Sequence, residues 1–200
     1  MDLHFRNITE DDLEMIMNWR TLPEVTSYMY TDFEPNLEQQ REWYTAIGKD
    51  PHRLDWIIEA DGTDVGLVSI VKIDPVNHRA EWGYYLGSTD VRGKGIGKSV
   101  ELNILAYVFD ELKLNKLCGE VFRDNKLVIE IHQKYGSVIE GTRRSHIFKN
   151  GRYRDIVEIG ILREEYDKNV RGRFDYTVAE VDAAAKEVVK MQSVPEKGEV

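Results

Sequence analysis

The stretch Arg92-Gly93-Lys94-Gly95-Ile96-Gly97-Lys98-Ser99 sets three glycines among three cations. It follows an aromatic-rich run, Ala80–Leu86, and precedes apolar residues at helical spacing, Val100, Leu102, Ile104, Leu105, Val108 and Phe109. Glycine lets a backbone turn sharply and approach a ligand closely. The first N–H groups of a helix have no internal acceptor, and the helix dipole favours an anion beside them. A pyrophosphate is the natural occupant. A nucleoside-triphosphate loop needs a glycine where Arg92 stands, and the later strand Lys116–Phe122 lacks the terminal Asp that would hold magnesium. A tight turn that binds nothing is the plainer reading of the same residues.

The elements around this loop follow from periodicity and punctuation. Leu3–Arg6 reads as a strand, and Thr9 to Asp12 as a capping box before a helix bearing Leu13, Ile16 and Met17, which Pro23 closes. Asn36 caps a second helix with Trp43, Tyr44 and Ile47. Strands Asp55–Ala60 and Val65–Ile73 flank Asp61-Gly62, a hairpin signal. Asn77-His78 turns the chain into the strand Ala80–Leu86. A helix over Gly97–Leu112, a strand Lys116–Phe122 and a helix Asn125–Tyr135 follow. Strands Val138–Lys149 and Arg152–Leu162 are joined by Asn150-Gly151. The order β-α-α-β-β-β-α-β-α-β-β predicts an α/β domain with a mixed, mostly antiparallel twisted sheet flanked by helices. Residues 1–166 form that domain and 167–200 a C-terminal extension. In it, Thr177–Met191 is rich in Ala, Val and Glu and is expected to form an amphipathic helix, with Gln192–Val200 a flexible tail.

Composition excludes several classes. A net charge of −9 argues against nucleic acid, whose phosphates need a basic surface. It suits a cytosolic protein, or a cationic acceptor such as a polyamine. No apolar run approaches the roughly 20 residues of a membrane helix. Met1 to Arg6 lacks a signal-peptide pattern, so the expected location is cytoplasmic. Cys118 is the single cysteine and forms no internal disulfide. The histidines and this cysteine show no metal-ligand spacing, so no metal is expected.

Arg92-Gly93-Lys94-Gly95-Ile96-Gly97, in its strand–loop–helix setting, resembles the pyrophosphate loop of the GNAT N-acetyltransferases. Asn125, thirty residues after Gly95, opening a helix that ends in Lys134-Tyr135-Gly136, resembles their second motif. The resemblance runs from about Leu3 to Tyr166 and implies the GNAT fold with acetyl-CoA as cosubstrate. It puts Arg92, Gly93, Lys94, Gly95, Ile96, Gly97 and Lys98 on the pyrophosphate, and Asn125 and Lys134 on the second cofactor element. Tyr84, Tyr85 and Leu86, on a strand splayed from its neighbour, would lie along the pantetheine arm. The family's acid toward the departing thiolate is a Tyr seven residues after the Asn; His132 stands there and can do the same work. Glu81, on the splayed strand and facing away from Trp82 and Tyr84, is a candidate base.

Trp19-Arg20, Tyr28-Met29-Tyr30-Thr31-Asp32, Leu117 to Phe122, Ile131-His132-Gln133-Lys134 and Lys149 to Tyr153 are similar to the amino-sugar N-acetyltransferases of pseudaminic acid biosynthesis. That likeness implies a UDP-linked 4-amino sugar as acceptor and a link to flagellin glycosylation. It places Arg20, Met29 and Tyr30 around the sugar and its nucleotide. Ser69 and Lys72 would stand beside the acceptor, Ser69 helping to deprotonate the amine or bind the oxyanion. Arg suits a diphosphate, and Met and Tyr suit a sugar face or uracil. Val65 to Val68, Asn77 to Glu81 and Asn150 to Tyr153 also resemble spermidine acetyltransferases. Acetylation of protein N-termini, and acyl-CoA binding by a non-catalytic regulator, stay open as functions. A homodimer, with the C-terminal segment taking part, is expected by analogy.

Overall fold

The computed structural model describes residues 1–32, 34–88 and 93–190. β1 (Leu3–Asn7) leads through a 3₁₀ turn, Glu10–Asp12, into α1 (Leu13–Thr21). The Thr9 N–H donates to Asp12 Oδ2 at 2.7 Å, which forms the expected capping box. Pro23 begins a short α2 (Pro23–Thr26), at a position where a missing N–H costs nothing. α3 (Leu37–Lys49) starts where Asn36 accepts from the backbone of Glu38 at 3.0 Å and Gln39 at 3.1 Å.

β2 (Leu54–Ala60) and β3 (Thr63–Asp74) meet at Asp61-Gly62, with φ of 50° and 72°. β6 (Val138–Lys149) and β7 (Arg152–Leu162) meet at Asn150-Gly151, with φ of 51° and 73°. Positive φ at both central residues matches the twist of the flanking strands. Between these hairpins lie β4 (Arg79–Leu86), α4 (Ile96–Ala106) with a π-helical turn Tyr107–Glu111, β5 (Lys116–Phe122) and α5 (Lys126–Lys134). α6 (Arg163–Asn169) and the two-residue β8 (Glu180–Val181) complete the chain. The eight strands form one sheet in the order β6-β7-β5-β4-β3-β2-β1-β8. Its ladders are antiparallel except β4–β5 and β1–β8.

One face of the sheet carries the main core, where Trp56, Ile58, Val68 and Ile70 meet Val100, Ile104 and Val108 of the α4 segment. The opposite face carries a smaller cluster of Ile16, Trp19, Ile57 and Leu67. This is the mixed α/β arrangement that the element order implies.

The extension departs from the helix expected over Thr177–Met191. Thr177–Lys190 forms a strap without helix, and β8 pairs with β1 through His4–Glu180 and Phe5–Val181. Phe174, Tyr176, Ala179, Val181 and Ala184 pack on the main core. Asn103 Nδ2 donates to the Thr177 carbonyl at 2.7 Å, and its Oδ1 accepts from Ala179 N at 2.9 Å. Asp182 accepts from Asn7 N at 2.8 Å, and the Lys186 ammonium reaches the Ile47 carbonyl. Helix propensity differs among ordinary residues by at most about 0.7 kcal/mol each, and tertiary packing outweighs it here. Gln192–Val200 lies outside the described residues. Among those described, no helix is long and apolar enough to cross a membrane.

Candidate active site

β4 and β5 pair only at Arg79–Lys116, Ala80–Leu117 and Glu81–Cys118. Beyond those pairs β4 stays with β3 as far as Leu86, while β5 stays with β7 as far as Phe122. The two parallel neighbours therefore part at Trp82 and Gly119. Backbone groups without a ladder partner need another one, and an extended ligand carrying amides supplies it. Tyr84, Tyr85 and Leu86 lie on the stretch that keeps its β3 partner but has left β5.

The glycine loop delivers the chain from β4 into α4. Gly93 and Gly95 have φ of 78° and 81°, and a Cβ on either would meet no atom within 4 Å. The loop backbone is thus open on its outer side. Ile96, 2% exposed, pins the start of α4, and Ser99 N donates to Gly95 O at 3.1 Å. A Cβ on Gly97 would stand 2.8 Å from the Tyr84 hydroxyl, so the first turn of α4 lies directly against β4. Lys94 is exposed and Lys98 half-buried. Arg92 lies outside the described residues. A helix start rich in N–H donors beside an unpaired strand fits a pyrophosphate joined to an amide-bearing arm, which is the make-up of CoA.

On the α4 side of the sheet, Trp82 and Tyr84 stack with ring centroids 5.7 Å apart. His132, on α5, meets Trp82 edge-on at 5.5 Å. It is 7% exposed, and its Nδ1 lies 2.8 Å from Glu101 Oε1. Burial, and then the charge of Glu101, push the Tyr84 phenol above its ordinary pKa. Asn125 occupies the N-cap position of α5, and Lys134 is exposed with its ammonium 5.8 Å from the Tyr135 ring centroid.

The other side of the sheet presents Glu81, Gly83 and Tyr85. A Cβ on Gly83 would meet nothing within 4 Å, so the sheet surface is open at this residue. Opposite it in the ladder stands Ser69, whose hydroxyl donates to Asp55 Oδ1 at 2.7 Å. Asp55 holds Arg53 at 2.6 Å, and Glu81 holds Lys72 at 2.8 Å. The Tyr30 hydroxyl donates to Glu120 Oε2 at 2.7 Å, with its ring against Phe122. Burial, reinforced by that bond, raises the Tyr30 pKa and keeps the phenol protonated. Arg143 bridges Glu120 at 3.0 Å and Glu158 at 2.5 Å. Arg20 donates to Thr31 Oγ1 at 3.4 Å, and Met29 is half-buried in the same loop. The buried Lys149 holds that loop through Asp32 at 2.6 Å. Tyr85 packs edge-on against Trp19. Cys118 is half-buried, and burial raises its thiol pKa.

Asp55, Gly83, Glu101 and Arg143 join the site without a sequence signal of their own, and Glu120 lies in the Leu117–Phe122 run without being singled out there. A β-bulge between Ile58 and Glu59 shifts the β2–β3 register, and only that shift sets Asp55 opposite Ser69. Among the described residues no group of three or more His, Cys, Asp and Glu side chains is placed to hold a metal ion.

Comparison with known proteins agrees with this geometry. Residues 2–138 match the family described as "Acetyltransferase (GNAT) domain". The spermidine N(1)-acetyltransferase of Escherichia coli K12 is 27% identical over 161 residues, covering 80% of this chain and 86% of its own. Acetyltransferase PseH of Campylobacter jejuni strain 81-176 is 26% identical over 134 residues, 66% of this chain and 80% of its own. The crystal structure of the Vibrio cholerae spermidine N-acetyltransferase in complex with CoA and spermine superposes with a TM-score of 0.77. It is 26% identical and covers 82% of this chain and 98% of that one. The parted strands and the glycine-led helix are therefore those of the GNAT acetyltransferase family, to which this chain belongs as an acetyl-CoA-dependent N-acetyltransferase.

Proposed function

We propose that the chain acetylates the amine of a nucleotide-linked amino sugar, of the UDP-4-amino type, by direct transfer from acetyl-CoA in a ternary complex. The observation that carries the choice of acceptor is the charge balance on the Gly83 side. Asp55, Glu81, Glu120 and Glu158 each already hold a cation: Arg53, Lys72 or Arg143. A polycationic acceptor needs unneutralised carboxylates, whereas a sugar diphosphate tolerates and uses the arginines. The similarity to PseH supports the same acceptor class. A polyamine is the second reading, favoured by the likeness to the two spermidine enzymes.

Acetyl-CoA, when bound, supplies an activated thioester. Gly93 to Lys98, with Arg92, hold its pyrophosphate, and the free backbone of Tyr84 to Leu86 holds its arm. On the Gly83 side Ser69 and Asp55 take the proton that the amine loses as its N–C bond forms: the Ser69 oxygen accepts it while the Ser69 proton passes to Asp55. Glu81, bound to Lys72, is the second candidate base. His132 gives a proton to the sulfur as the C–S bond breaks. Burial raises the Cys118 thiol pKa, which disfavours the thiolate that an acyl carrier would need.

Thiol release from acetyl-CoA, measured with a UDP-4-amino sugar, spermidine and an N-terminal peptide in parallel, tests this reading. Release with the sugar, and initial-velocity lines that intersect, are expected. Release with spermidine alone discards the sugar pocket, and parallel lines discard the ternary complex.

A further inference from the structure

We propose that Glu101 is a positioning residue: its buried carboxylate fixes the tautomer and orientation of His132, leaving Nε2 as the ring nitrogen that exchanges protons. This rests on the reading of His132 as the proton donor to sulfur.

Glu101 sits in the middle of α4 and is 1% exposed. Its Oε1 lies 2.8 Å from His132 Nδ1, while its Oε2 is buried with no hydrogen-bond partner among the described residues. An ionised carboxylate in a protein interior is costly, and an orphaned oxygen makes it more so. A residue chosen only to pack α4 against α5 would be apolar. The phenols of Tyr84, on β4, and Tyr135, after α5, are both pushed up by burial first and by Glu101 second. The carboxylate therefore stands where α4, α5 and the parted strand meet, beside the Trp82 ring that His132 touches.

A carboxylate only accepts hydrogen bonds, so the bridging hydrogen belongs to Nδ1. To act as donor the ring must carry a second hydrogen, and with Nδ1–H held on Glu101 that hydrogen is on Nε2. As the C–S bond breaks, its electron pair stays on sulfur and takes the Nε2 proton. The ring is left neutral, with Nδ1–H still on Glu101, and regains its Nε2 proton from solvent. Nothing else need move, which is the advantage of an imidazole whose orientation is fixed in advance. Without Glu101 the ring is free to rotate or to carry its single proton on Nε2 when neutral.

The test uses Glu101→Ala, Glu101→Gln and His132→Ala, singly and as the Glu101→Ala/His132→Ala pair. His132→Ala should lower kcat and leave calorimetric CoA affinity close to that of the parent. Glu101→Ala should cut kcat by about 10–100-fold, the scale seen when the group orienting a metal-bound imidazole is removed, with KM for acetyl-CoA nearly unchanged. Glu101→Gln keeps an acceptor oxygen and should restore kcat to within about threefold of the parent, since a neutral acceptor still orients the ring. In the His132→Ala background, Glu101→Ala should cause no further loss. Imidazole ¹⁵N spectra of the parent protein, recorded without any ligand, should show the hydrogen of neutral His132 on Nδ1, and Glu101→Ala should abolish that preference. Normal turnover by His132→Ala sinks the donor reading and the proposal with it. Slow His132→Ala beside normal Glu101→Ala, additive losses in the pair, or an Nε2–H tautomer in the parent overturns the role of Glu101 alone. The spectra of the parent decide the matter even if Glu101→Ala fails to fold.

Discussion

Gly95 combines a left-handed backbone, φ 81°, with open space where a side chain would project. Valine there must adopt a conformation that costs on the order of 1–3 kcal/mol, and its branches would occupy the space an anion needs. We expect Gly95→Val to fold, by circular dichroism, and to lose measurable CoA binding by calorimetry. Retained affinity in the folded variant would show that the anion is held elsewhere. This position was legible in the sequence because the requirement is local: a sharp turn at a helix start admits glycine and little else. Glu101 was illegible for the opposite reason. A glutamate in the middle of a helix reads as solvated, and only the packing of α5 and the sheet around α4 makes it a buried acceptor for His132.

At the scale of elements, α4 is covered on both sides, by the sheet and by the strap. Asn103, 6% exposed, serves both: it also donates to the Ser99 carbonyl at 2.7 Å within its own helix. Asn103→Ala leaves the Thr177 carbonyl without its donor and the Ala179 N–H without its acceptor. A loss of about 1–3 kcal/mol per orphaned group is expected, read by denaturant unfolding, with amide exchange at residues 177–182 faster than in the parent. An unchanged midpoint and unchanged exchange would show that apolar packing alone holds the strap. Asp182 anchors the next segment. The Asn7 N–H lowers its pKa below 3.8, burial works against that, and the His4 ring adds to the lowering. A carboxyl with a depressed folded-state pKa contributes stability above its unfolded value and loses it as pH falls through the folded value. Protection of the strap should therefore decline below pH 3.8, and Asp182→Ala should lack protection at neutral pH as well. The strap shows where sequence reading stopped. The hairpins at Asp61-Gly62 and Asn150-Gly151 were legible because two residues dictate each. The composition of Thr177–Lys190 suits a helix, yet partners far away in sequence, Asn7, Asn103 and Ile47, hold it on a non-helical path.

Across the whole molecule, the sheet divides two tasks. Its α4–α5 face carries the glycine-led helix and His132, and its opposite face carries the open surface at Gly83 with Ser69, Asp55 and the Tyr30 loop. The strands part between them, and in the proposed reaction the thioester is held from the first face and the amine from the second. Gly83→Leu tests that division most directly, because a Cβ there meets no atom within 4 Å. Thiol release across acceptor concentrations, beside a CoA titration, is the measurement. The account predicts CoA affinity near that of the parent and a fall in kcat/KM for the acceptor of about 100-fold, the loss that misplacing a reactant by an ångström can cause. Unimpaired acceptor turnover by the folded variant, or weakened CoA binding with acceptor KM unchanged, would contradict it.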